Sequence, residues 1–251
     1  MIHELFKAYD VQFFPFFEQL LPILQSFMGS QSYTCRQWAL CAFDDLIEFT
    51  GAECAHYQPQ FLNHLIAGLN DQHPEIRQAS SYGIGVAAQF GGAPFNSFCV
   101  NALEPLFSSL EAHKPIDGDD STIFARENII SAIGKICNFH SNSFDVNLIL
   151  RKWIELLPIV RDDEEAVYTY TYLLDLIEAG HPAVAIDPLK VASVLMEVLV
   201  VSADLFTNQE ELIQRIVRVS SVLLSHFDTE TRNKLWMTLD QGKQNKLKQY
   251  F

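Results

Sequence analysis

The feature that most constrains this 251-residue chain is a recurrence of paired amphipathic segments, about every 40 residues. Within each segment, apolar residues recur at the spacing of one face of an α-helix, and short runs rich in Pro, Gly, Asp or Asn separate the segments. Equivalent first segments begin near residues 14, 58, 94, 146, 188 and 229. Because one helical hairpin cannot bury its apolar face alone, this repeat predicts an all-α stack of hairpins.

The segment breaks predict the bounds of the hairpins. They span residues 14–49, 58–90, 94–139, 146–179 and 188–227, and a shorter pair over 229–251 caps the stack. The longest polar break, residues 113–122, lies inside the third hairpin and predicts a loop. Residues 1–251 are therefore expected to form a single solenoid domain of about five hairpins plus a terminal cap.

The sharpest repeat runs from Leu69 to Gly85, L-N-D-Q-H-P-E-I-R-Q-A-S-S-Y-G-I-G, and resembles the HEAT consensus. Asp71 is predicted to cap the helix that follows, and Pro74 suits its first turn, where the N–H that proline lacks has no helical partner. Arg77 stands where HEAT repeats place an arginine that pairs with the turn aspartate of a neighbouring repeat. The equivalent positions of the first and third hairpins hold Arg36 and Arg126. The resemblance implies a HEAT-repeat α-solenoid, a right-handed superhelix.

Charge and cysteine usage narrow the class of partner and compartment. Lys and Arg total 17 against 31 Asp and Glu, a net charge of −14, so nucleic acid is repelled on average and basic partners are attracted. Five cysteines without a C-x-x-C pair indicate reduced thiols, and charges that interrupt the apolar N-terminus predict no signal peptide, so a reducing cytosolic or nuclear compartment is expected. The most apolar stretch, residues 191–206, contains two acids and is shorter than the ~20 residues of a membrane span, so no membrane insertion is expected.

No motif predicts catalysis, a cofactor or a metal. Gly83 and Gly85 match a loose dinucleotide fingerprint, but that motif follows a strand and opens a helix, whereas here Pro74 opens the helix nine residues earlier. We interpret both glycines as close-packing positions between stacked helices. Cys54 and His56 lie close together without the paired spacing of zinc ligands. A protein-binding function, with no catalytic residues, is therefore expected.

Several longer strings occur in a fixed order along the chain. They cover residues 36–48 (RQWALCAFDDLIE), 76–92, 127–136, 163–167 and 172–178, followed by His181 and Pro182. Together they resemble the karyopherin-β, or importin-β, family, and most closely its importin-5 (karyopherin β3) branch. The resemblance implies the last few repeats of a longer receptor whose N-terminal repeats are absent here. It fades after about His181, so the later hairpins depend on periodicity alone.

The family resemblance implies a nuclear import receptor that shuttles between cytoplasm and nucleus. It would bind basic cargo or nuclear localisation signals, respond to Ran-GTP through N-terminal repeats outside this chain, and act as a monomer in the full-length protein. Phe13, Phe14, Phe16 and Phe17 could form a groove for Phe-Gly nucleoporins, or they could be core. The alternative is a HEAT scaffold of another kind, such as a phosphatase regulatory subunit or a trafficking adaptor, because repeat physics does not distinguish these.

In this family the second helix of each hairpin lines the concave surface that holds cargo. Aligning the second helices through Arg36, Arg77 and Arg126 predicts a polar stripe on the face opposite the buried stripe. Acids interleaved with Tyr and Gln suit Lys- and Arg-rich partners through charge-assisted hydrogen bonds and cation–π contacts, although a solvated helix face gives the same pattern. The candidate cargo-binding residues are Asp44, Glu48, Glu75, Gln78, Tyr82, Glu127, Glu165, Tyr168, Tyr172 and Asp175.

Overall fold

The computed structural model describes residues 1–251 and contains α-helices and short 3₁₀ turns but no strand, which confirms the all-α HEAT-repeat fold. The α-helices are α1 (Ile2–Tyr9), α2 (Phe14–Met28), α3 (Tyr33–Thr50), α4 (Gln58–Gly68), α5 (Pro74–Phe90), α6 (Asn96–Ala112), α7 (Asp120–Phe139), α8 (Val146–Leu156), α9 (Asp163–Glu178), α10 (Pro182–Ala185), α11 (Pro188–Leu205), α12 (Glu210–Ser225), α13 (Thr229–Met237) and α14 (Gln241–Leu247).

Two helix ends differ from the predicted hairpins for local reasons. Helix α7 begins within the predicted acidic loop, because the Asp119 side chain accepts the backbone N–H of Ser121 and so caps the first turn. Helix α8, the first helix of the predicted hairpin 146–179, ends early, at Leu156. Pro158 follows, and a residue that precedes proline disfavours the helical region; Leu157 is accordingly extended, with ψ 153°.

The chain forms two compact units, Met1–Phe144 and Asp145–Phe251. In the first unit α3 packs on α5, α5 packs on α7, and α1 packs on α3. In the second unit α11 packs on α12 and α14, α12 packs on α9, and α8 packs on α10. The single solenoid over residues 1–251 stays a prediction.

Aromatic residues fill the core of the first unit at its N-terminal end. Helix α1, which the repeat pattern missed, inserts a fully buried Phe6 whose ring centroid lies 4.9 Å from that of Phe13 and 5.1 Å from that of Phe17. Phe17 in turn meets Phe43 of α3 edge to face, at 5.8 Å. Phe13 and Phe17 are therefore core residues, whereas Phe16 is 62% exposed.

The second unit is centred on two fully buried aromatic side chains, Trp153 and Tyr170. The Tyr170 hydroxyl donates to the Ile159 carbonyl at 2.8 Å and accepts the Ile159 N–H at 2.9 Å. It thereby satisfies both backbone groups of a residue in the non-helical segment between α8 and α9. Helix α11 supplies many core residues, and none of the helices is both long and apolar enough to cross a membrane.

Candidate functional site

Arg36, near the start of α3, connects two neighbouring hairpins. Its Nη2 donates to Oδ2 of Asp71, in the turn between α4 and α5, at 2.9 Å. Its Nη1 donates to the carbonyls of Ser30 and Gln31, in the turn of its own hairpin, at 3.0 and 3.2 Å. This is the contact between an arginine and the turn aspartate of the next repeat that the HEAT pattern predicts.

Arg77 occupies the equivalent place in α5 and is buried. Its Nη1 donates to the carbonyls of Asp71 and Gln72 at 2.8 and 3.1 Å, so it braces the turn of its own hairpin. Burial lowers the pKa of Arg77, and the nearby carboxylates of Asp71, Glu75 and Asp119 partly offset that shift. Asp119, the N-cap residue of α7, was not singled out from the sequence, because the intervening loop lengthens the repeat.

Two further repeat positions have defined local roles. Pro74 is the first residue of α5, as predicted. Asp71 does not cap α5: the N-cap residue is His73, and Oδ1 of Asp71, three residues before the helix, accepts the His73 N–H at 2.9 Å. The aspartate therefore holds the turn and leaves its second oxygen for Arg36. Arg126 is half-buried, and burial lowers its pKa while the adjacent Glu127 opposes this shift.

The two glycines of the loose dinucleotide motif are packing positions, as interpreted. A Cβ atom on Gly83 would collide with the Asp44 carboxylate and lie 2.9 Å from Cδ2 of Leu65. One on Gly85 would lie 3.1 Å from Cδ of Lys135 and 3.5 Å from Cα of Ala132. No group of three or more His, Cys, Asp or Glu residues has a metal-binding arrangement.

The structure separates the ten candidate cargo-binding residues into two sets. Six have partly or fully exposed side chains: Glu48, Glu75, Gln78, Tyr82, Tyr168 and Asp175. Four are buried: Asp44, Glu127, Glu165 and Tyr172, with 2%, 3%, 5% and 7% exposure. For these four, the expected solvent-facing position is wrong. The second helices pack closely enough to cover the edges of the polar stripe as well as its apolar side.

Asp44 shows how this burial arises. Its carboxylate lies against Gly83 of α5, where the absent side chain leaves room for it. Neither carboxylate oxygen has a hydrogen-bond partner. Burial raises the pKa of Asp44 well above its ordinary value of 3.8, and the carboxylates of Asp45 and Glu48 raise it further. The carboxyl group of Asp44 therefore lies at the contact of two helices, where burial favours its neutral form.

The outward face of α3 is rotated from the predicted one by about one residue, or roughly 100°. It presents Trp38, 68% exposed, followed by Cys41 and Asp45 at helical spacing. The Asp45 carboxylate lies 2.8 Å from Nδ1 of His3 on α1. The stripe of Ala39, Phe43 and Leu46 could have indicated this rotation, because its centre lies opposite Cys41 rather than opposite Asp44.

Several exposed candidates already have partners within their own unit. The Lys135 ammonium lies 5.6 Å from the centroid of the Tyr82 ring, a cation–π contact between α7 and α5. Asp175, in the second unit, accepts from Nη2 of Arg215 at 2.6 Å, and the same nitrogen donates to Glu178 at 2.6 Å. Arg215 lowers the pKa of Glu178, mainly through this hydrogen bond. Glu75 and Gln78, one turn apart on α5, remain partly exposed.

Two families of repeat match parts of the chain: HEAT repeat over residues 61–91 and Importin repeat over residues 162–203. The importin subunit beta-3 of Saccharomyces cerevisiae is 30% identical over 170 residues, which cover 66% of this chain and 15% of that protein. The chain is similar to members of the importin-β family. A probable importin-5 homolog of Dictyostelium discoideum is 26% identical over 200 residues, 69% of this chain and 19% of the homolog.

The solved structure of Kap121p bound to RanGTP superimposes with a TM-score of 0.78 at 19% identity, and the match covers 100% of this chain and 22% of Kap121p. At that identity the similarity shows the fold. The curated relatives are nuclear import receptors rather than enzymes. The chain spans less than a quarter of the length of each of these proteins.

Proposed function

We propose that this chain is a protein-binding segment of a nuclear import receptor, and that the outer edges of its second helices contact basic cargo. The observation that carries the proposal is the pair Glu75 and Gln78. These side chains stay partly exposed, one turn apart, on the second helix of a HEAT-matching repeat in a chain similar to importin-β family members.

The chemistry of this pair suits an extended Lys- or Arg-rich peptide. A carboxylate accepts charge-assisted hydrogen bonds from a guanidinium or ammonium group, and a neighbouring amide can accept from the peptide backbone or side chains. The net charge of −14 adds a long-range attraction for the same class of partner. Tyr82, one further turn along α5, has Lys135 over its ring. That contact shows that the tyrosine accommodates a lysine, here one from the chain itself.

Binding of a fluorescein-labelled Lys- and Arg-rich peptide to the 251-residue chain, followed by fluorescence anisotropy, tests the site. Glu75→Lys should weaken binding by about fivefold or more, because it replaces a hydrogen-bond acceptor with a like charge. Glu104→Lys, an exposed position on α6, makes the same change in net charge and is the matched control, with an expected loss below about twofold. Equal losses in both variants would show only a general charge effect and contradict the site.

The receptor role is tested separately in the full-length receptor that contains these repeats. Cargo binding is measured with Ran loaded with GTP and then with GDP, because release requires a ligand that binds two states of the receptor differently. Cargo should be released by the GTP form only. Binding that is indifferent to the nucleotide would favour a HEAT scaffold of another kind. The proposed receptor would shuttle between cytoplasm and nucleus, and its contact with Phe-Gly nucleoporins would involve exposed aromatics such as Phe16.

A further inference from the structure

Helices α13 and α14 and the last turn of the chain, residues 228–251, carry a charge opposite to that of the rest. This C-terminal segment contains five Lys or Arg against three Asp or Glu, whereas residues 1–227 contain 12 against 28. The segment also lies outside the matched HEAT and Importin repeats, which end at residues 91 and 203. Neither matched repeat therefore accounts for its cations.

The three acidic side chains of the C-terminal segment already have partners inside it. Asp228 and Asp240 each accept a backbone N–H in the first turn of the helix that follows, so both cap a helix. Glu230 pairs with Lys234 at 2.7 Å. The other four cationic side chains of the segment form no ion pair with a carboxylate: Arg232, Lys243, Lys246 and Lys248.

A groove of about 430 Å³ lies between the second half of α12 and α13, within the size range of ligand-binding clefts. The apolar part of its lining consists of Met196, Leu224, Trp236 and Phe251. Ser, Thr and Asn side chains line the rest, together with the exposed Arg232. No acidic side chain lines this C-terminal groove, so the guanidinium of Arg232 is its only charged side-chain group.

Hydrogen bonds hold the walls of the C-terminal groove in place. Nε2 of Gln244 on α14 donates to the Trp236 carbonyl at 3.0 Å, which connects α14 to the end of α13. The Tyr250 hydroxyl lies 2.9 Å from the buried hydroxyl of Ser202 on α11, and this contact fixes the last turn beside Phe251. Because the walls are already ordered, a ligand would lose little affinity to ordering them.

We propose that the C-terminal groove and the lysines that precede Phe251 bind a short acidic segment of a partner protein. An apolar side chain of the partner would enter the groove, and a carboxylate would accept hydrogen bonds from Arg232. Further carboxylates would lie near Lys246 and Lys248, as in the recognition of acidic motifs by clustered cations. The inference does not depend on the basic cargo proposed above.

Charge favours a short acidic segment over other anionic partners. A nucleic acid or an anionic membrane is extended, and it would come within a Debye length, about 8–10 Å, of the acidic helices of the same unit. Residues 145–227 contain 13 Asp or Glu against six Lys or Arg, so they repel such a surface. A short peptide contacts the C-terminal segment alone and avoids this repulsion.

The test uses three fluorescein-labelled peptides of about 10 residues. The first has one central Leu flanked by Glu, the second has Gln in place of every Glu, and the third has Gly in place of the Leu. Anisotropy titrations of the full 251-residue chain should show the first peptide binding about tenfold more tightly than the second and about threefold more tightly than the third. A net charge of −14 repels the first peptide, so its preference would identify the local cations.

Variants with matched controls locate the binding. Arg232→Gln should weaken binding of the first peptide about tenfold and Lys248→Gln about threefold, whereas Arg151→Gln, exposed on α8, should change it less than about twofold. Phe251→Ala should weaken it about fivefold, and Met237→Ala, 76% exposed on α13 and outside the groove, should leave it unchanged. All five positions are exposed, and circular dichroism would verify that the variants fold.

Four results would overturn the proposal. They are no binding of the first peptide, equal affinity for the first and second peptides, equal losses in Arg232→Gln and Arg151→Gln, and tighter binding of another anionic partner. The last is measured with phosphatidylserine vesicles and with a single-stranded oligonucleotide at the same ionic strength.

Discussion

Within each unit the second helices of neighbouring hairpins pack on one another, and this packing differs between the two units. In the first, α5 carries Gly83 and Gly85 at its contacts with α3 and α7, and these helices form the most extensive contacts of the chain. In the second unit, neither α9 nor α12 contains a glycine, and the helices are connected at their edge by Arg215 and two partly exposed acids. The residues on the second helix therefore decide how closely neighbouring hairpins approach.

The difference has opposite consequences for polar groups and for apolar surface. Close approach in the first unit encloses the carboxyl group of Asp44 without a hydrogen-bond partner. In the second unit, α12 runs past the last turn of α9, and its apolar side is left open as a groove. One unit stores an unfavourable buried polar group, and the other retains an exposed apolar surface.

The largest effect is expected from filling the close contact of the first unit. Gly83→Leu places a side chain against the Asp44 carboxylate and Leu65, and should lower the free energy of unfolding by about 3 kcal/mol. Urea unfolding with hydrogen exchange read out for each helix would locate the loss in α3 and α5. Gly29→Leu is the control, because its Cβ would meet nothing closer than 3.8 Å. Equal stability of the two variants would remove close packing as the distinction between the units.

The turn contacts of the first unit should rank next. Arg36→Met keeps the aliphatic stem and removes three hydrogen bonds, one of them to the Asp71 carboxylate, so we expect a loss of about 2 kcal/mol. Asp71→Asn keeps the shape of the turn and weakens the charged contact, and it should cost less. Chemical denaturation of both variants and of the double mutant measures the coupling. A coupling energy near zero would contradict the structural role of the pair.

The buried carboxyl group predicts a pH dependence that belongs to the first unit. The pKa of Asp44 is raised in the folded state, so the folded chain retains its proton when the unfolded chain has lost it. Stability from this group is therefore present below about 3.8 and is lost as pH rises towards the folded pKa, by up to about 1.4 kcal/mol per pH unit.

Asp44→Asn cannot ionise, so its stability advantage over the wild type should widen as pH rises above 3.8. Urea titrations of both proteins between pH 4 and pH 8 would show it. Asp117→Asn, at an exposed position in the loop before α7, makes the same change in net charge and is the control. If the free energies of unfolding of Asp44→Asn and the wild type differed by the same amount at every pH, Asp44 would not have a raised pKa in the folded state.

The smallest effect is expected at the exposed contact of the second unit. Arg215→Met removes hydrogen bonds to Asp175 and Glu178, whose side chains are 58% and 44% exposed, so the loss should be about 0.5–1 kcal/mol. The loss should shrink further at high salt, unlike that of Arg36→Met. Thermal unfolding of Arg215→Met and Arg36→Met at two ionic strengths measures this difference. A larger, salt-insensitive loss of stability in Arg215→Met would show that contacts between neighbouring hairpins have similar strength in the two units.

Periodicity predicted the repeated helix pairs but not every helix or helix end, because those ends depend on nearby residues. Pro74 begins α5, and α11 and α12 occur within two residues of the predicted limits even where the family resemblance fades. Helix α1 was missed because it forms no part of the repeated pairs. Its place depends on distant contacts such as that of Phe6 with Phe17.

The sequence by itself determined the class of fold and the arginines that brace the turns, since these follow from local spacing, and its ordered strings indicated a resemblance to the importin-β family. Which polar residues face solvent was decided only by the tertiary structure. Asp44 and Glu75 both satisfy a polar-stripe pattern, yet Asp44 of α3 is covered by α5, whereas Glu75 of α5 stays partly exposed. Exposure depends on how closely the next helix approaches and on where it ends. Both properties belong to the neighbouring hairpin and are absent from the helix that carries the residue.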